Sequence, residues 1–170
     1  MKRLTLMRHA DARWKDSDVS DFERPLNRRG TSDAEAMARR LAERGLVPDL
    51  ILASPARRTQ QTAEILVRIL AESAPRVVRE EALYLASAPE ILRLAQGAGP
   101  RIAHLLLVAH NPGLSELVQL LLPHSAPTEL AAAGLCSIAF DCDDWEAIAS
   151  GRVSGAVHEA PPTGLFGLFA

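Results

Sequence analysis

The chain has little of what marks secreted, membrane-spanning or nucleic-acid-binding proteins. Its 170 residues include only two cysteines, Cys136 and Cys142, and no apolar run approaches the length of about 18 residues that a membrane span needs. The net charge is −2, which provides no basic surface for nucleic acid or an anionic membrane. We therefore expect two free thiols in a cytoplasmic protein that has neither a membrane nor a nucleic-acid partner.

The composition is otherwise that of an ordinary globular protein, with 48% hydrophobic and 24% charged residues. This length predicts a single domain over residues 1–170, with an irregular tail at 160–170. Lysine is scarce, since 17 of the 19 basic residues are arginine. A single arginine therefore carries little weight as a functional signal, and its position must supply the argument.

Short apolar runs alternate with segments of helical periodicity. Helix starts are predicted at Thr31-Ser32, at Ser54-Pro55, at Pro89 and at Asn111-Pro112, from N-cap residues and from proline in the first turn. The alternation predicts an α/β sandwich with a mainly parallel sheet. The predicted strands are residues 4–7, 50–53, 105–109 and 136–140, with further edge strands at 76–78 and 151–157.

Polar side chains follow three of these strands at the point where each strand ends. Arg8-His9 follows the first, Ser54-Pro-Ala-Arg57-Arg58 the second, and His110-Asn111-Pro112 the third. Ligand sites of parallel α/β sheets form at the carboxyl ends of the strands. The three clusters are therefore expected to meet in one site.

The chemistry of these clusters suits a phosphate group. Helix N-termini and arginine forks bind phosphate oxygens, and a neutral histidine can attack phosphorus while a second histidine donates to a phosphoryl oxygen. No glycine-rich phosphate loop or acidic magnesium site is visible, so a mechanism without metal or cofactor is expected. A His9-x-Asp11 metal site is the weaker alternative. Asp16, Asp18 and Asp21 are interpreted as a solvated acidic loop.

Four segments resemble motifs of the histidine phosphatase superfamily. "LMRHADA" is similar to its R-H-G signature, "LASPARRTQQTAEIL" to its S-P-x-x-R-x-x-Q-T-A segment, and "LLVAHNPGL" to its second-histidine motif. "ERPLNRRGTSDAEAMA" resembles the R-P-L-x-x-x-G-x-x-x-A stretch of the compact SixA-type phosphohistidine phosphatases. The motifs span residues 3 to 118 in family order and spacing.

This resemblance implies a phosphoglycerate mutase-like, three-layer α/β/α sandwich. It makes His9 the nucleophile that becomes a phosphohistidine, and a phosphorylated histidine-containing protein or a small phosphorylated molecule the substrate. Arg8, Arg58 and His110 would complete the phosphate pocket. The substrate-binding positions expected around it are Arg24 at the mouth, Arg57 at the rim, and Asn111.

Two departures from the family pattern shape the expected activity. Ala10 stands where the signature has glycine, so an ordinary backbone with negative φ is expected there. No general-acid carboxylate can be placed, because Glu80 and Glu81 are interpreted as a solvated pair. Dephosphorylation of phosphohistidine on a protein is therefore favoured. A small-molecule phosphomonoesterase and a non-catalytic phospho-ligand module are the alternatives, and His104, His124 and His158 are expected at the surface.

Overall fold

A computed structural model describes residues 1–14, 18–73 and 75–162. Asp16 and the part of the predicted tail beyond residue 162 lie outside these residues. Six strands and four α-helices alternate over most of the described chain. They are β1 (Lys2–Arg8), α1 (Arg28–Glu43), β2 (Leu50–Ala53), α2 (Arg57–Ile69), β3 (Arg76–Arg79), α3 (Ala88–Gln96), β4 (His104–Ala109), α4 (Gly113–Leu121), β5 (Leu135–Phe140) and β6 (Val153–Glu159).

The strands form one sheet in the order β3-β2-β4-β1-β5-β6. Strands β3, β2, β4 and β1 are parallel to one another, whereas β5 pairs antiparallel with both β1 and β6. The predicted mainly parallel sheet is thus confirmed. Strand β6 begins two residues later than predicted, because residues Ser150–Arg152 form a short 3-10 turn.

Alternate residues of the central strands pack into two separate cores. Leu105 and Leu107 of β4 join a core with α3 and α4, whereas Leu106 and Val108 join a core with α1 and α2. Successive strand residues point to opposite faces of a sheet, so a strand that is apolar throughout is covered on both faces. The predicted three-layer sandwich is confirmed. No helix in the described part of the chain is long and apolar enough to cross a membrane.

Three predicted helix starts are wrong by a few residues. Helix α1 begins at Arg28 because Asn27 is its N-cap, accepting a hydrogen bond of 2.7 Å from the Gly30 N–H. Helices α2 and α4 begin after Ala56 and Pro112, and neither has a side-chain cap. The expected caps, Ser54 and Asn111, bond to other partners instead. Both belong to the candidate site described below.

His104 is also placed differently from its prediction. The ring is only 8% exposed, whereas His124 and His158 lie at the surface as expected. The Nδ1–H of His104 donates to the Val47 carbonyl at 3.1 Å, and its Nε2 lies 2.8 Å from the Thr5 hydroxyl. Burial lowers its pKa to about 4, so the ring is a neutral part of the core. Both cysteines are free thiols, as predicted.

Gly30 lies where α1 crosses the segment that follows β1. A β-carbon placed on Gly30 would overlap the backbone carbonyl of Asp11. That carbonyl cannot easily move, because it accepts a hydrogen bond of 3.1 Å from the Asn27 N–H. The glycine of the R-P-L-x-x-x-G stretch is therefore required for close packing of α1 against the residues that follow His9.

We expect Gly30→Ala to destabilise the protein by at least about 2 kcal/mol, because overpacking against backbone outweighs the gain in helix propensity. Gly151→Ala is the matched control, since a β-carbon there meets nothing within 4 Å. Urea unfolding of the two variants and the wild type measures the difference. Equal stability of Gly30→Ala and Gly151→Ala would contradict the close approach.

Candidate active site

Strand pairing brings the three polar clusters together. Arg8 at the end of β1 lies beside Ala109 of β4, and Ala53 at the end of β2 lies beside Val108. The pairing continues past the strands, since the His9 N–H donates to the Ala109 carbonyl at 3.2 Å and the Ser54 N–H to the Val108 carbonyl at 3.0 Å. The residues that follow these three parallel strands therefore lie side by side at one edge of the sheet.

His9 is held with one ring nitrogen available. Its Nδ1 lies 2.8 Å from the Ala10 carbonyl, which can only accept, so Nδ1 carries the proton and Nε2 keeps its lone pair. Burial, together with the nearby cations Arg58 and Arg8, outweighs the opposing hydrogen bond to Ala10 and lowers the pKa of His9 to about 4. The ring is therefore neutral at physiological pH.

Ala10 supports this arrangement without backbone strain. Its N–H donates to the Thr62 hydroxyl at 3.1 Å, and its side chain is fully buried. Positive φ occurs in the described chain at Leu85, Ala133 and two glycines, and Ala10 is not among them. The predicted negative φ is confirmed, and alanine fits this position of the signature.

His110 lies beside His9, with 5.4 Å between the ring centroids. Its Nδ1 is 3.2 Å from Nη2 of Arg58, which can only donate, so the proton lies on Nε2 and points to the Ser54 hydroxyl at 2.6 Å. Burial and the Arg58 charge lower the pKa of His110 to about 3. Both nitrogens thus have protein partners. To donate to a phosphoryl oxygen, as predicted, the Nε2–H of His110 would have to exchange the Ser54 hydroxyl for that oxygen.

Each of the two arginines of the pocket has one buried donor without a partner among the described residues. Arg8 donates from Nη1 to the Leu130 carbonyl at 3.0 Å, and Arg58 donates from Nη1 to the Asp21 carbonyl at 2.7 Å. The Nε–H groups of both arginines are buried and have no partner within the described residues. An unsatisfied buried donor is costly, so such groups call for an explanation. An oxyanion held between the two guanidinium groups would satisfy both.

The three residues expected to contact the substrate have different surroundings. Arg24 pairs with Asp21 at 3.0 Å and lies close enough to lower the pKa of both site histidines. Arg57 is exposed at the start of α2. Asn111 instead binds the segment between α4 and β5, since its Nδ2–H donates to the Leu130 carbonyl at 2.9 Å. Its role in substrate binding remains a prediction.

Two site residues were missed from the sequence. Asp21, interpreted as solvated, has Oδ2 at 3.1 Å from Nη2 of Arg58 and accepts a hydrogen bond of 2.8 Å from the Tyr84 hydroxyl. The Tyr84 ring lies edge-on to the rings of His110 and Phe22, with ring centroids 5.6 Å and 5.2 Å apart, respectively. The only signal in the sequence was the position of Asp21, three residues before Arg24 of the R-P-L stretch.

The contacts of the acidic side chains described near the site do not identify a general acid. Hydrogen bonds from Tyr84 and Arg58, with the Arg58 charge, outweigh partial burial and lower the pKa of Asp21 to about 2, so it is ionised. Glu81 is exposed beside Arg79, and Glu80 accepts from the Ala82 N–H at 3.1 Å. Of the pair predicted to be solvated, Glu81 is exposed but Glu80 is half-buried, and neither carboxylate has a hydrogen bond to a site histidine within the described residues.

The residues of the metal alternative also have other partners. Oδ2 of Asp11 accepts a hydrogen bond of 2.7 Å from the Asn27 side chain. Within residues 1–14, 18–73 and 75–162, no three histidine, cysteine, aspartate or glutamate side chains cluster as a metal site would require. The polar groups of this site are instead arranged for an anion.

Comparisons with known proteins agree with this geometry. The sequence model of the histidine phosphatase superfamily (branch 1) matches residues 4–83. An uncharacterized chloroplastic protein of Arabidopsis thaliana is 44% identical over 61 residues, which are 36% of this chain and 28% of the plant protein. The chain thus spans under a third of that relative. An uncharacterized protein of Picosynechococcus sp. is 33% identical over 113 residues, 66% of this chain and 68% of that protein.

Solved structures extend the similarity to nearly the whole chain. A candidate phosphohistidine phosphatase SixA from Agrobacterium tumefaciens is 27% identical with a TM-score of 0.77, covering 92% of this chain and 97% of that chain. A protein histidine phosphatase SixA complexed with tungstate has the same fold, with 24% identity, a TM-score of 0.77 and coverage of 94% and 97%. The chain belongs to the histidine phosphatase superfamily. Within it, the strong structural matches are to SixA proteins.

We expect the His9 ring to stay neutral down to about pH 4, because the charged form is disfavoured by burial and by neighbouring arginines. Nitrogen-15 NMR of the ring, assigned with His9→Ala, measures this titration. Arg58→Met should raise the pKa by removing a cation, whereas Arg57→Met, which removes an exposed charge, should leave it nearly unchanged. A wild-type midpoint at the ordinary value of about 6.5 would contradict the arrangement.

Proposed function

We propose that this protein is a metal-independent phosphatase that forms a covalent phosphohistidine on His9, and that its substrate is phosphohistidine on another protein. Family membership supports a phosphatase acting on a phosphorylated substrate. The observation that carries the mechanism is the His9 ring, whose Nε2 keeps its lone pair near two arginines with buried Nε–H groups that have no partner within the described residues. A cytoplasmic location remains the expectation drawn from the composition.

In the first step, the Nε2 lone pair of His9 attacks phosphorus. The new Nε2–P bond forms as the bond from phosphorus to the leaving group breaks, and the leaving group takes the bonding electron pair. Arg8 and Arg58 donate hydrogen bonds to the phosphoryl oxygens, and their positive charges stabilise the negative charge on those oxygens. The hydrogen bond from Nδ1 to the Ala10 carbonyl stabilises the positive charge that the ring acquires.

In the second step, water attacks the phosphorus of the intermediate. The Nε2–P bond breaks, His9 recovers its lone pair, and the protons lost by water leave with phosphate and the released group. The sum is addition of one water to the phosphorylated substrate. His110 would donate to a phosphoryl oxygen from its Nε2–H, which exchanges the Ser54 hydroxyl for the anion while Arg58 keeps its contact with Nδ1.

The lack of a general acid favours one class of leaving group. An alkoxide needs a proton from the enzyme, a contribution of about 10²- to 10⁴-fold, whereas imidazole, with a pKa near 6.5, can take its proton from water. The acid nearest to Arg58, Asp21, is ionised because its pKa is about 2. The connection 80–87 between β3 and α3 is short, which suits a histidine presented on a protein surface.

We expect His9→Ala to lower kcat more than about 10³-fold, because the covalent route needs the Nε2 lone pair. The wild type should show an acid-labile, base-stable phosphoenzyme that the variant lacks. Tungstate binding, measured by calorimetry, should change only a few-fold, because both arginines remain. His124→Ala, which removes an exposed histidine, is the control and should behave as the wild type.

Retention of a tenth of wild-type activity by His9→Ala would contradict the covalent role. The same assay in EDTA should show unchanged activity. Loss of activity in EDTA, restored by a divalent cation, would instead support the metal site at His9 and Asp11. Tungstate binding without any turnover would support the non-catalytic phospho-ligand module.

We expect kcat/KM for phosphohistidine to exceed that for phosphoserine by at least about 10²-fold, the lower bound for a missing acid. The free phosphoamino acids isolate the leaving group, and a phosphohistidine-containing protein then measures the added contribution of docking. Similar values for both free compounds would favour the small-molecule phosphomonoesterase and an acid not recognised here. Glu81→Gln would then be the first variant to test.

A further inference from the structure

We propose that Asp21 is a positioning residue that holds Arg58 in its productive orientation, and that the Tyr84 hydroxyl in turn holds the Asp21 carboxylate. This inference rests on the proposed function, because the productive orientation is the one that presents Arg58 to the transferred phosphoryl group. Asp21 belongs to a short 3-10 helix, Asp21–Glu23, which lies against α2.

Asp21 binds Arg58 at two points. Its backbone carbonyl accepts from Nη1 at 2.7 Å, and its Oδ2 accepts from Nη2 at 3.1 Å. A guanidinium group is planar, so two contacts on one residue define both its position and its plane. The remaining Nη2 hydrogen reaches His110, and the Nε–H is left for an anion. Arg58 has a 3% exposed side chain, so its other orientations are limited by packing.

The carboxylate of Asp21 is itself held on both sides. Oδ1 lies 3.0 Å from Nη2 of Arg24, and Oδ2 accepts from the Tyr84 hydroxyl at 2.8 Å. Asp21 therefore lies between two cations that would otherwise repel each other. Tyr84 also packs edge-on against His110, which links the carboxylate to the second site histidine through one ring.

The negative charge of Asp21 repels an anionic substrate, whereas its two contacts with Arg58 favour catalysis. A fixed anion beside Arg58 competes with phosphate for the same guanidinium group and repels it through space. A residue that only attracted substrate would carry the opposite charge. Positioning therefore predicts a particular signature: removing the charge should slow turnover while leaving oxyanion binding intact or tighter. A direct ligand of the substrate would lose both together.

Asp21→Asn tests this, because an amide keeps the shape but loses the charge and offers only one acceptor oxygen to Arg58 and Tyr84. We expect kcat to fall by about 10- to 100-fold, the size of effect that a small misplacement produces, and tungstate affinity to stay equal or rise. The Arg58 Nε–H should exchange with solvent faster in nitrogen-15 NMR. Glu23→Gln, which removes an exposed carboxylate from the same 3-10 helix, should match the wild type.

Tyr84→Phe should give a smaller loss of kcat, about two- to fivefold, and should add little in the Asp21→Asn background because the two residues act through one carboxylate. Asp21→Glu should recover part of the activity lost in Asp21→Asn. If Asp21→Asn does not fold, Tyr84→Phe decides by the same measurements, and unchanged kcat and Arg58 exchange would then overturn the proposal.

Three results for Asp21→Asn would overturn the inference. One is a kcat within twofold of the wild type. Another is a loss of tungstate affinity in proportion to kcat. The third is accumulation of phosphoenzyme formed at the wild-type rate, which would make Asp21 the base for water. The NMR measurement separates this inference from the proposed function. If the wild type shows no phosphatase turnover but the Arg58 Nε–H exchanges faster in Asp21→Asn, the positioning role of Asp21 is kept and the phosphatase proposal is rejected.

Discussion

The parallel pairing of β4 with β1 and β2 is the constraint on which the site depends. It places Ala109 beside Arg8 and Val108 beside Ala53, so the next residues along each strand emerge at one level. His9 and His110 become neighbours although about a hundred residues separate them in the chain. A shift of this register by one residue would reverse which side chains face each core, so the packing of the sheet also fixes the site.

The second constraint is the placement of polar groups where water is scarce. Burial makes the imidazole of His9 neutral, and one backbone carbonyl then determines which nitrogen keeps the lone pair. The same burial leaves two arginine Nε–H groups without partners in the described part of the chain. Buried N–H groups without partners destabilise the folded chain, but they stabilise an oxyanion that binds to them. Such a compromise between stability and function is common.

Much of this could be predicted before the fold was known. The strands, the two-sided apolar cover of β4 and the meeting of the clusters at the strand ends follow from local patterns that the chain itself displays. The starts of α2 and α4 could not be placed, because the expected caps bond to tertiary partners. Ser54 binds His110 and Asn111 binds Leu130, and no local pattern records those distant partners.

The sequence by itself determined the class of fold, the histidine and arginine residues at the strand ends, and the absence of a recognisable acid. Periodicity and strand-end position are local properties, so they can be read along the chain. Only the tertiary structure decided the tautomers of both histidines, the burial of His104 and the contacts of Asp21 with Arg58 and Tyr84. These depend on contacts between residues far apart, such as Asp21 with Tyr84, whose partners become neighbours only when the chain folds.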